Sequence, residues 1–289
     1  MSLWLDLLGA EIRFVDTASF GRIRVAEAGR GQEPLLFLHG IGGHLEAYAK
    51  NVVPLSDRFH TLAFDYVGHG LSEKKVLDFT PLTFVDQLGE LLDALGLGRV
   101  NLSGESLGGW VSALFAVKHP ERVRRLMLNT AGGIPIVGEK GRADLENLKA
   151  LSQKNAGQTP TFESVQARMA WLIHPNNRHL LTDELVRTRL FFYLQPGMRE
   201  VAPRVLAIIP RHDEFLIPLE KISCETLFLW TLDNPVHDVE SARRACAEVP
   251  RAELYVMKAD AAHWPQYEAA GEFNDVTRRF FTSGRIGRP

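Results

Sequence analysis

Short apolar runs alternate with longer amphipathic stretches along most of the chain. The longer stretches, such as residues 84–97, carry apolar side chains every three or four positions, which is the period of an α-helix. Strands and helices that alternate at this spacing predict a mostly parallel sheet covered on both faces, preceded by an N-terminal hairpin. The sequence therefore predicts an α/β fold. Its eight strands are expected near residues 12–16, 23–29, 34–40, 61–70, 100–106, 125–133, 226–231 and 253–259.

The alternation stops between about residues 135 and 220. This segment contains no clear strand, and residues 159–173 and 180–194 have the pattern of amphipathic helices. The strand pattern resumes near residue 224, so both flanks of the segment belong to one sheet. We therefore expect a helical lid, residues 135–220, inserted after the sixth strand of a core that comprises residues 1–134 and 221–289.

The composition is ordinary for a soluble globular protein. The 289 residues are 45% apolar and 24% charged, and the formal charge of -2 predicts neither a nucleic acid nor an anionic membrane as partner. Cys224 and Cys246 lie in apolar segments, which favours free thiols and a reducing compartment. The first residues lack the basic region of a signal peptide, and no apolar run approaches the roughly 20 residues of a membrane helix. A cytoplasmic protein is expected.

Ser106 stands in the segment Gly104-Glu105-Ser106-Leu107-Gly108, between a predicted strand and a predicted helix. A five-residue pattern of this kind is common by chance, but a strand–turn–helix context makes it a nucleophile elbow. The two glycines then avoid clashes where strand and helix crowd together. Ser106 is therefore the candidate nucleophile, and its hydroxyl needs a base.

His263 is the candidate base among the ten histidines. In chains that carry the triad in the order serine, acid, histidine, the base follows the last strand, and His263 comes shortly after the eighth predicted strand. No His or Cys pair has the spacing of metal ligands, so we predict neither a metal nor another cofactor.

Two residues compete for the acid that would orient His263. Asp233 comes first after the seventh strand, three residues before Val236, and is the preferred candidate. Asp238 suits the N-terminus of the following helix equally well, since Glu240 also favours a helix start there. The predicted machinery is a Ser-Asp-His triad with Asp238 as the alternative acid.

Two backbone N–H groups are expected to form an oxyanion hole. One belongs to Leu107, at the N-terminus of the helix after the elbow. The other belongs to the glycine-rich loop after the third strand, where Ile41 or Gly42 would supply the donor. In the same loop His39 is expected to have a structural role.

Taken in their order along the chain, the sequence motifs resemble those of the α/β-hydrolase superfamily over almost the whole length. The set comprises a strand followed by His-Gly, the pattern DxxGxGxS at residues 65–72, the elbow, a late acid and a late histidine. In that superfamily an aspartate at the elbow would be typical of epoxide hydrolases or haloalkane dehalogenases. The serine implies acyl-transfer hydrolysis or one of its relatives.

Three further segments are similar to the meta-cleavage product hydrolases, which cut a carbon–carbon bond in ring-fission products of aromatic catabolism. They are His263-Trp264 with Tyr267-Glu268, the glycine pair within residues 128–133, and the lid segment 160–190. The resemblance aligns Arg189 with the arginine that holds the substrate carboxylate in that family. The helical pattern agrees, because Arg189 shares an apolar face with Leu185 and Phe192, and an arginine there needs an anion.

The resemblance implies hydrolysis of a 2-hydroxy-6-oxo-hexa-2,4-dienoate-type compound to 2-hydroxypenta-2,4-dienoate and a carboxylic acid. A carboxylesterase or lactonase with the same triad is the alternative. The expected partner is a small carboxylate-bearing molecule, and homo-oligomers are expected by analogy with the family. The aromatic residues expected to line the pocket are Trp264, Trp171, Phe191 and Phe192.

Two positions depart from the family pattern. Glu105 precedes the nucleophile, where the family often has asparagine, and Ala47 is the nearest match to an asparagine in the loop after His-Gly. Both positions polarise the substrate in the family. Their change predicts a different ring-fission substrate or another reaction on the same fold.

Overall fold

The central element is one eight-stranded sheet, as the sequence predicts. The computed structural model describes residues 2–155 and 157–287. The strands are β1 (Glu11–Thr17), β2 (Gly21–Ala28), β3 (Pro34–Leu38), β4 (His60–Phe64), β5 (Val100–Glu105), β6 (Val123–Asn129), β7 (Glu225–Trp230) and β8 (Ala252–Val256). They lie in the order β1-β2-β4-β3-β5-β6-β7-β8. The β1·β2 and β2·β4 pairs are antiparallel and the remaining five pairs are parallel, so the predicted fold class is confirmed.

The parallel register brings the carboxyl ends of the central strands to one edge of the sheet. Leu38, the last residue of β3, lies beside Gly104 of β5, and Glu105 lies beside Asn129 of β6. Asn129 in turn lies beside Leu229 of β7. The loops after these strands therefore leave the sheet close together, where ligands bind in α/β folds.

Helices cover both faces of the sheet, and each face has its own apolar core. One core includes Leu88 and Val111, and the other includes Val52 and Phe280. Every residue of β5 is buried, because a strand in the middle of a parallel sheet is covered on both sides. The helices are α1 (Leu3–Asp6), α2 (Ala49–Leu55), α3 (Pro81–Ala94), α4 (Leu107–Lys118), α5 (Gly138–Asn155), α6 (Phe162–Leu172), α7 (Asp183–Tyr193), α8 (Met198–Leu206), α9 (Val239–Glu248), α10 (Pro265–Glu268) and α11 (Ala270–Ser283).

A helical insertion, which runs from α5 to α8 and the short turns after it, separates β6 from β7. It contains no strand among its described residues. The helices α6 and α7 lie where the sequence predicts them, whereas α5 and α8 are not evident from the apolar pattern. Buried Met169, Leu185 and Val201 join the insertion to the cores of the sheet. The domain boundaries at residues 134/135 and 220/221 stay predictions.

Cys224 and Cys246 are free thiols, as predicted. Burial raises the pKa of Cys246 to about 11, so this thiol stays protonated at neutral pH. In the described ranges, every helix is too short or too polar to cross a bilayer.

Candidate active site

The nucleophile elbow lies between β5 and α4, where the sequence predicts it. Ser106 has φ 54° and ψ -114°, and a positive φ strains any residue that carries a side chain. A Cβ on Gly104 would overlap the carbonyl oxygen of Gly108, and a Cβ on Gly108 would overlap that of Leu38. Both glycines are therefore required by the close approach of strand and helix, and the turn leaves the serine at the edge of the sheet.

Backbone N–H groups without partners lie on both sides of the elbow. In the part of the chain that the structure describes, the N–H groups of Ile41 and Leu107 donate no hydrogen bond to the protein. Ile41 lines the same small cavity as Ser106. The carbonyl of Gly42, the residue after Ile41, accepts a hydrogen bond from the Tyr193 hydroxyl. The oxyanion hole stays a prediction, and the lining of the cavity favours Ile41 over Gly42 as the second donor.

The loop that carries His263 is fixed by hydrogen bonds from three directions. The hydroxyl of Thr231, after β7, donates to the carbonyl of Ala262 over 2.6 Å. The hydroxyl of Thr130, after β6, donates to the carbonyl of His263 over 3.1 Å. The N–H of His263 donates to the carbonyl of Leu172 in α6 over 2.9 Å. Two strands of the sheet and the helical insertion therefore position the candidate base together.

Glu268 stabilises the same loop from its C-terminal side. Its Oε1 atom accepts hydrogen bonds from the N–H groups of Ala262, at 2.9 Å, and Trp264, at 3.1 Å. Its Oε2 atom accepts one from the N–H of His174 in the insertion, at 2.7 Å. Glu268, the last residue of the His-Trp and Tyr-Glu motif, thus holds the backbone of the residues before and after His263 in place.

The structure does not bring Asp233 to His263. The side chain of Asp233 is 63% exposed, and its carboxylate lies 3.4 Å from Nε2 of His174. The next residue, Asn234, is buried and has its Oδ1 atom 3.1 Å from Nδ1 of His263. The alternative acid, Asp238, caps α9 by accepting hydrogen bonds from Glu240 and Ser241, as its position in the sequence also suggests.

The other nitrogen of the imidazole faces Glu105. Nε2 of His263 lies 3.1 Å from Oε1 of Glu105, and both side chains are almost fully buried. The Oε2 atom of Glu105 accepts the N–H of Gly40 over 2.7 Å. The sequence marks Glu105 as a departure from the family, but no sequence pattern indicates its contact with the histidine.

Arg189 is buried in the insertion beside the candidate triad. Its Nε–H donates to the Tyr193 hydroxyl over 2.9 Å, and its guanidinium lies 5.1 Å from the centre of the Trp264 ring. Its Nη1 atom is buried and has no hydrogen-bond partner among the described residues. The side chain of the neighbouring Arg187 is 70% exposed, whereas that of Arg189 is buried.

Arg168, in α6, is a second arginine of the site that the sequence analysis missed. Burial lowers the pKa of its guanidinium. Tyr193 raises this pKa and the charge of Arg189 lowers it, and the net result is a pKa below the usual value. Burial raises the pKa of Tyr193, but Arg189 and Arg168 outweigh it and bring the pKa below its usual value. The helical pattern around Arg168 gives no signal, because arginines on amphipathic helices are usually solvated. The site therefore concentrates positive charge near the phenol.

Two neighbouring cavities meet at Arg168. The smaller, of about 30 Å³, is lined by Ser106, His263 and Arg189, and also by the predicted pocket residues Trp171 and Trp264. The larger, of about 730 Å³, lies under the insertion and is lined by Phe192 and Tyr193. Arg168 and Gly43 line both cavities. Phe191 is 55% exposed and is absent from the lining of either one.

A buried ion cluster supports the loops around the elbow. Arg24 of β2 donates two hydrogen bonds to Glu46, at 2.8 and 2.9 Å, and one to Asp65, at 2.6 Å. Asp65 also accepts the backbone N–H groups of Leu45 and Leu71, so it fixes the start of the DxxGxGxS turn. These contacts give the turn a structural role.

The fold and the elbow define the class of protein: the chain belongs to the α/β-hydrolase fold family, whose model matches residues 33–270. The prediction of a hydrolase with this fold is confirmed. The chain is similar to the meta-cleavage product hydrolases within this class. It is 27% identical to a 2-hydroxy-6-oxononadienedioate/2-hydroxy-6-oxononatrienedioate hydrolase of Pseudomonas putida, over 90% of this chain and 92% of that protein.

Two further comparisons agree. The chain is 29% identical to a 2-hydroxymuconate semialdehyde hydrolase of Pseudomonas sp. strain CF600, over 90% of each protein. A meta-cleavage product hydrolase from Pseudomonas fluorescens IP01 has a solved structure similar to this one, with a TM-score of 0.78 and 25% identity. That match covers 96% of this chain and 100% of the other. The family resemblance read from the sequence is therefore confirmed.

Proposed function

We propose that the protein hydrolyses a carbon–carbon bond in a 2-hydroxy-6-oxo-hexa-2,4-dienoate-type compound. The products would be 2-hydroxypenta-2,4-dienoate and a carboxylic acid. The names of the similar proteins support this class of reaction, since they are hydrolases of oxo-dienedioates and of a hydroxymuconate semialdehyde. The substrate would be a small molecule that carries a carboxylate.

The observation that carries the proposal is that Arg189 lines the cavity of Ser106 and His263 and has a buried Nη1 atom with no hydrogen-bond partner among the described residues. A buried guanidinium without an anion is costly, so a ligand that supplies one gains binding energy. A carboxylate accepts two parallel hydrogen bonds from an arginine. Arg189 would thus hold the carboxylate end of the substrate, with Trp264 packed against the guanidinium.

The reaction would proceed in two stages. The dienolate form of the substrate, whose C2 hydroxyl has already lost its proton to solvent, is first protonated on C5, and the C2 oxygen becomes a ketone. Ser106 then attacks the C6 carbonyl, the C5–C6 bond breaks with its electrons returning to the dienol, and water hydrolyses the acyl-serine to release the carboxylic acid. His263 would transfer the protons in both stages, and the N–H groups of Ile41 and Leu107 would stabilise the oxyanion.

The cavity around Ser106 must enlarge to admit this substrate. Its volume of about 30 Å³ is that of roughly one water molecule, far less than a dienoate requires. The insertion supplies Leu148 and Trp171 to its wall. Movement of these side chains would open it toward the larger cavity, where the C6 substituent has room. The insertion would therefore act as a lid.

The test is to mix the protein with several ring-fission products that differ in their C6 substituent and to follow the loss of dienolate absorbance. We expect loss of absorbance with at least one of them, and Ser106→Ala should lower the cleavage rate by orders of magnitude. Ser112→Ala is the control, because it removes another buried hydroxyl near the elbow that bonds only to Gly108. Fast turnover of p-nitrophenyl esters without any loss of dienolate absorbance would instead favour a carboxylesterase or lactonase.

A further inference from the structure

The two side-chain contacts of His263, at Nδ1 and at Nε2, indicate which ring nitrogens carry a proton. The Oδ1 atom of Asn234 accepts the backbone N–H of Val236 over 3.0 Å, and an N–H can only donate, so the amide orientation is fixed. The same oxygen faces Nδ1 of His263 at 3.1 Å. Nδ1 therefore carries a proton, as it does in the usual triad. Asn234 supplies no negative charge, however.

The contact at Nε2 then requires a second proton. In a neutral ring with a proton on Nδ1, Nε2 has only a lone pair, which would repel the oxygen of Glu105 at 3.1 Å. One proton must lie between Nε2 and Oε1. It forms either an imidazolium with a carboxylate or a neutral imidazole with a carboxylic acid, and the pair carries no net charge in either form.

The surroundings of Glu105 favour its carboxylate. The N–H of Gly40 donates to Oε2, which stabilises the charged form. Glu105 also lies just before the N-terminus of α4, where the helix dipole stabilises negative charge. The other titratable groups near the pair are His39, Tyr48 and Tyr66 around Glu105, His237 beside His263, and Arg168 and Arg189 on the same cavity.

We propose that Glu105 is the acidic partner of His263 and keeps the resting site as an imidazolium–carboxylate pair, in place of an acid after β7. In the usual triad the carboxylate faces Nδ1 of the histidine. Here the carboxylate faces Nε2 and belongs to Glu105, the residue directly before Ser106. This inference rests on the proposed function for its role in the reaction. The arrangement suits a hydrolase whose first step needs an acid rather than a base.

The proton balance of the reaction follows from this resting state. The Nε2 proton of the imidazolium passes to C5 of a dienolate, and the C2 oxygen of the substrate becomes a ketone. His263 is then neutral and has a lone pair on Nε2. It takes the proton of Ser106 as Oγ bonds to C6, which restores the imidazolium beside Glu105. That proton passes to the departing dienolate as the C5–C6 bond breaks, which leaves an acyl-serine and a neutral His263. Water then attacks the acyl-serine while His263 accepts its proton, and Oγ takes this proton back as the carboxylic acid leaves. Ionisation of the carboxylic acid supplies the proton that returns His263 to the imidazolium.

The experiment compares Glu105→Gln, Asn234→Asp and the double variant in two assays at several pH values. One assay follows ketonisation and cleavage of a ring-fission product by stopped flow. The other follows the rate at which a fluorophosphonate labels Ser106, which requires neutral His263 but no natural substrate. Glu11→Gln, at a side chain that is 54% exposed, is the control.

We expect Glu105→Gln to slow ketonisation by about 100-fold or more at neutral pH, since a positioned acid contributes 10²–10⁴. The same variant should label at least as fast as the wild type, with the rise in labelling shifted to lower pH. Asn234→Asp in the Glu105→Gln background restores an anion at Nδ1 and should recover at least tenfold of the lost rate. Asn234→Asp alone should give no gain of that size, because the wild type already has an anion at Nε2 of His263.

Unchanged ketonisation and an unchanged pH profile of labelling in Glu105→Gln would overturn the proposal. A gain of more than tenfold from Asn234→Asp alone would also overturn it, because the site would then have lacked an acid. That variant serves equally if Glu105→Gln does not fold. If the wild type converts no ring-fission product, the proposed function fails, and the pH profile of labelling still decides whether Glu105 holds the proton on His263.

Discussion

The Tyr193 hydroxyl joins Arg189 to the loop after β3, which lines the same cavity as Ser106. It accepts the Nε–H of Arg189 over 2.9 Å and donates its own proton to the carbonyl of Gly42 over 2.8 Å. One edge of the guanidinium is thus fixed by the protein, while Nη1 on the other edge has no partner among the described residues. An arginine held in this way is preorganised for an anion, and its orientation depends on the phenol.

Arg189→Ala should lower kcat/KM for a ring-fission product by about 10- to 100-fold, because hydrogen bonds to a charged group contribute about 1.5–3 kcal/mol. Turnover of p-nitrophenyl acetate, which has no carboxylate, should change by less than about threefold. Arg187→Ala on the same helix is the matched control, since that side chain is 70% exposed. Equal losses with both substrates would show that Arg189 acts on the fold of the site and not on a carboxylate.

Tyr193→Phe removes the hydroxyl that orients Arg189 but keeps the aromatic ring. We expect KM for a carboxylate substrate to rise about three- to tenfold, the effect of one hydrogen bond worth about 0.5–1.5 kcal/mol. The value of kcat should change less, because the Tyr193 hydroxyl bonds to Arg189 and Gly42 and, among the described residues, not to Ser106 or His263. Steady-state kinetics with both substrate classes measure this, and a fall in kcat alone would contradict the assigned role.

Arg24→Ala should reduce the free energy of unfolding by about 3–5 kcal/mol, because it leaves the buried carboxylates of Glu46 and Asp65 without their cation. Urea unfolding followed by circular dichroism measures the change. Arg22→Ala, at an exposed position of the same strand, should cost less than about 1 kcal/mol, since it removes only an exposed cation–π contact with Phe14. Similar losses in the two variants would contradict the importance of the buried cluster.

Stability should depend on pH through Glu27. Burial raises the pKa of this carboxyl, but hydrogen bonds from Arg13, Arg30 and His60 outweigh it and hold the pKa at about 2. A depressed pKa stabilises the folded state above the usual carboxyl range of about 4.3, and this contribution is lost as the pH falls toward 2. The difference in unfolding free energy between wild type and Glu27→Gln should therefore shrink between pH 5 and pH 2. A constant difference would exclude this linkage.

The sequence predicted those parts of the site that local sterics determine. Gly104 and Gly108 have to be glycine because strand and helix touch there, so the elbow at Ser106 is visible as a motif. His263 is visible because it follows the last strand. Close packing requires the two glycines, and chain order determines the place of the histidine. Both features can be recognised in a single sequence.

The partners of His263 were not predictable in the same way. The sequence offered the charged residues Asp233 and Asp238 as candidates, but the side chain that is buried beside His263 belongs to Asn234, whereas that of Asp233 is exposed. Glu105 contacts the imidazole of His263 although the two residues lie 158 positions apart in the chain. No local sequence pattern encodes such a contact. Arg168 likewise becomes part of the site only when α6 packs over the elbow.

The hydrogen bond from the N–H of His263 to the carbonyl of Leu172 has a mechanical consequence. A hydrogen bond of 2.9 Å is lost when its atoms separate by more than about half an ångström, so α6 cannot move away without releasing the backbone of the histidine. If α6 moves when the proposed lid opens, the backbone of the candidate base is therefore released at the same time. The acid–base machinery would then be complete only when α6 has returned to its place over the site.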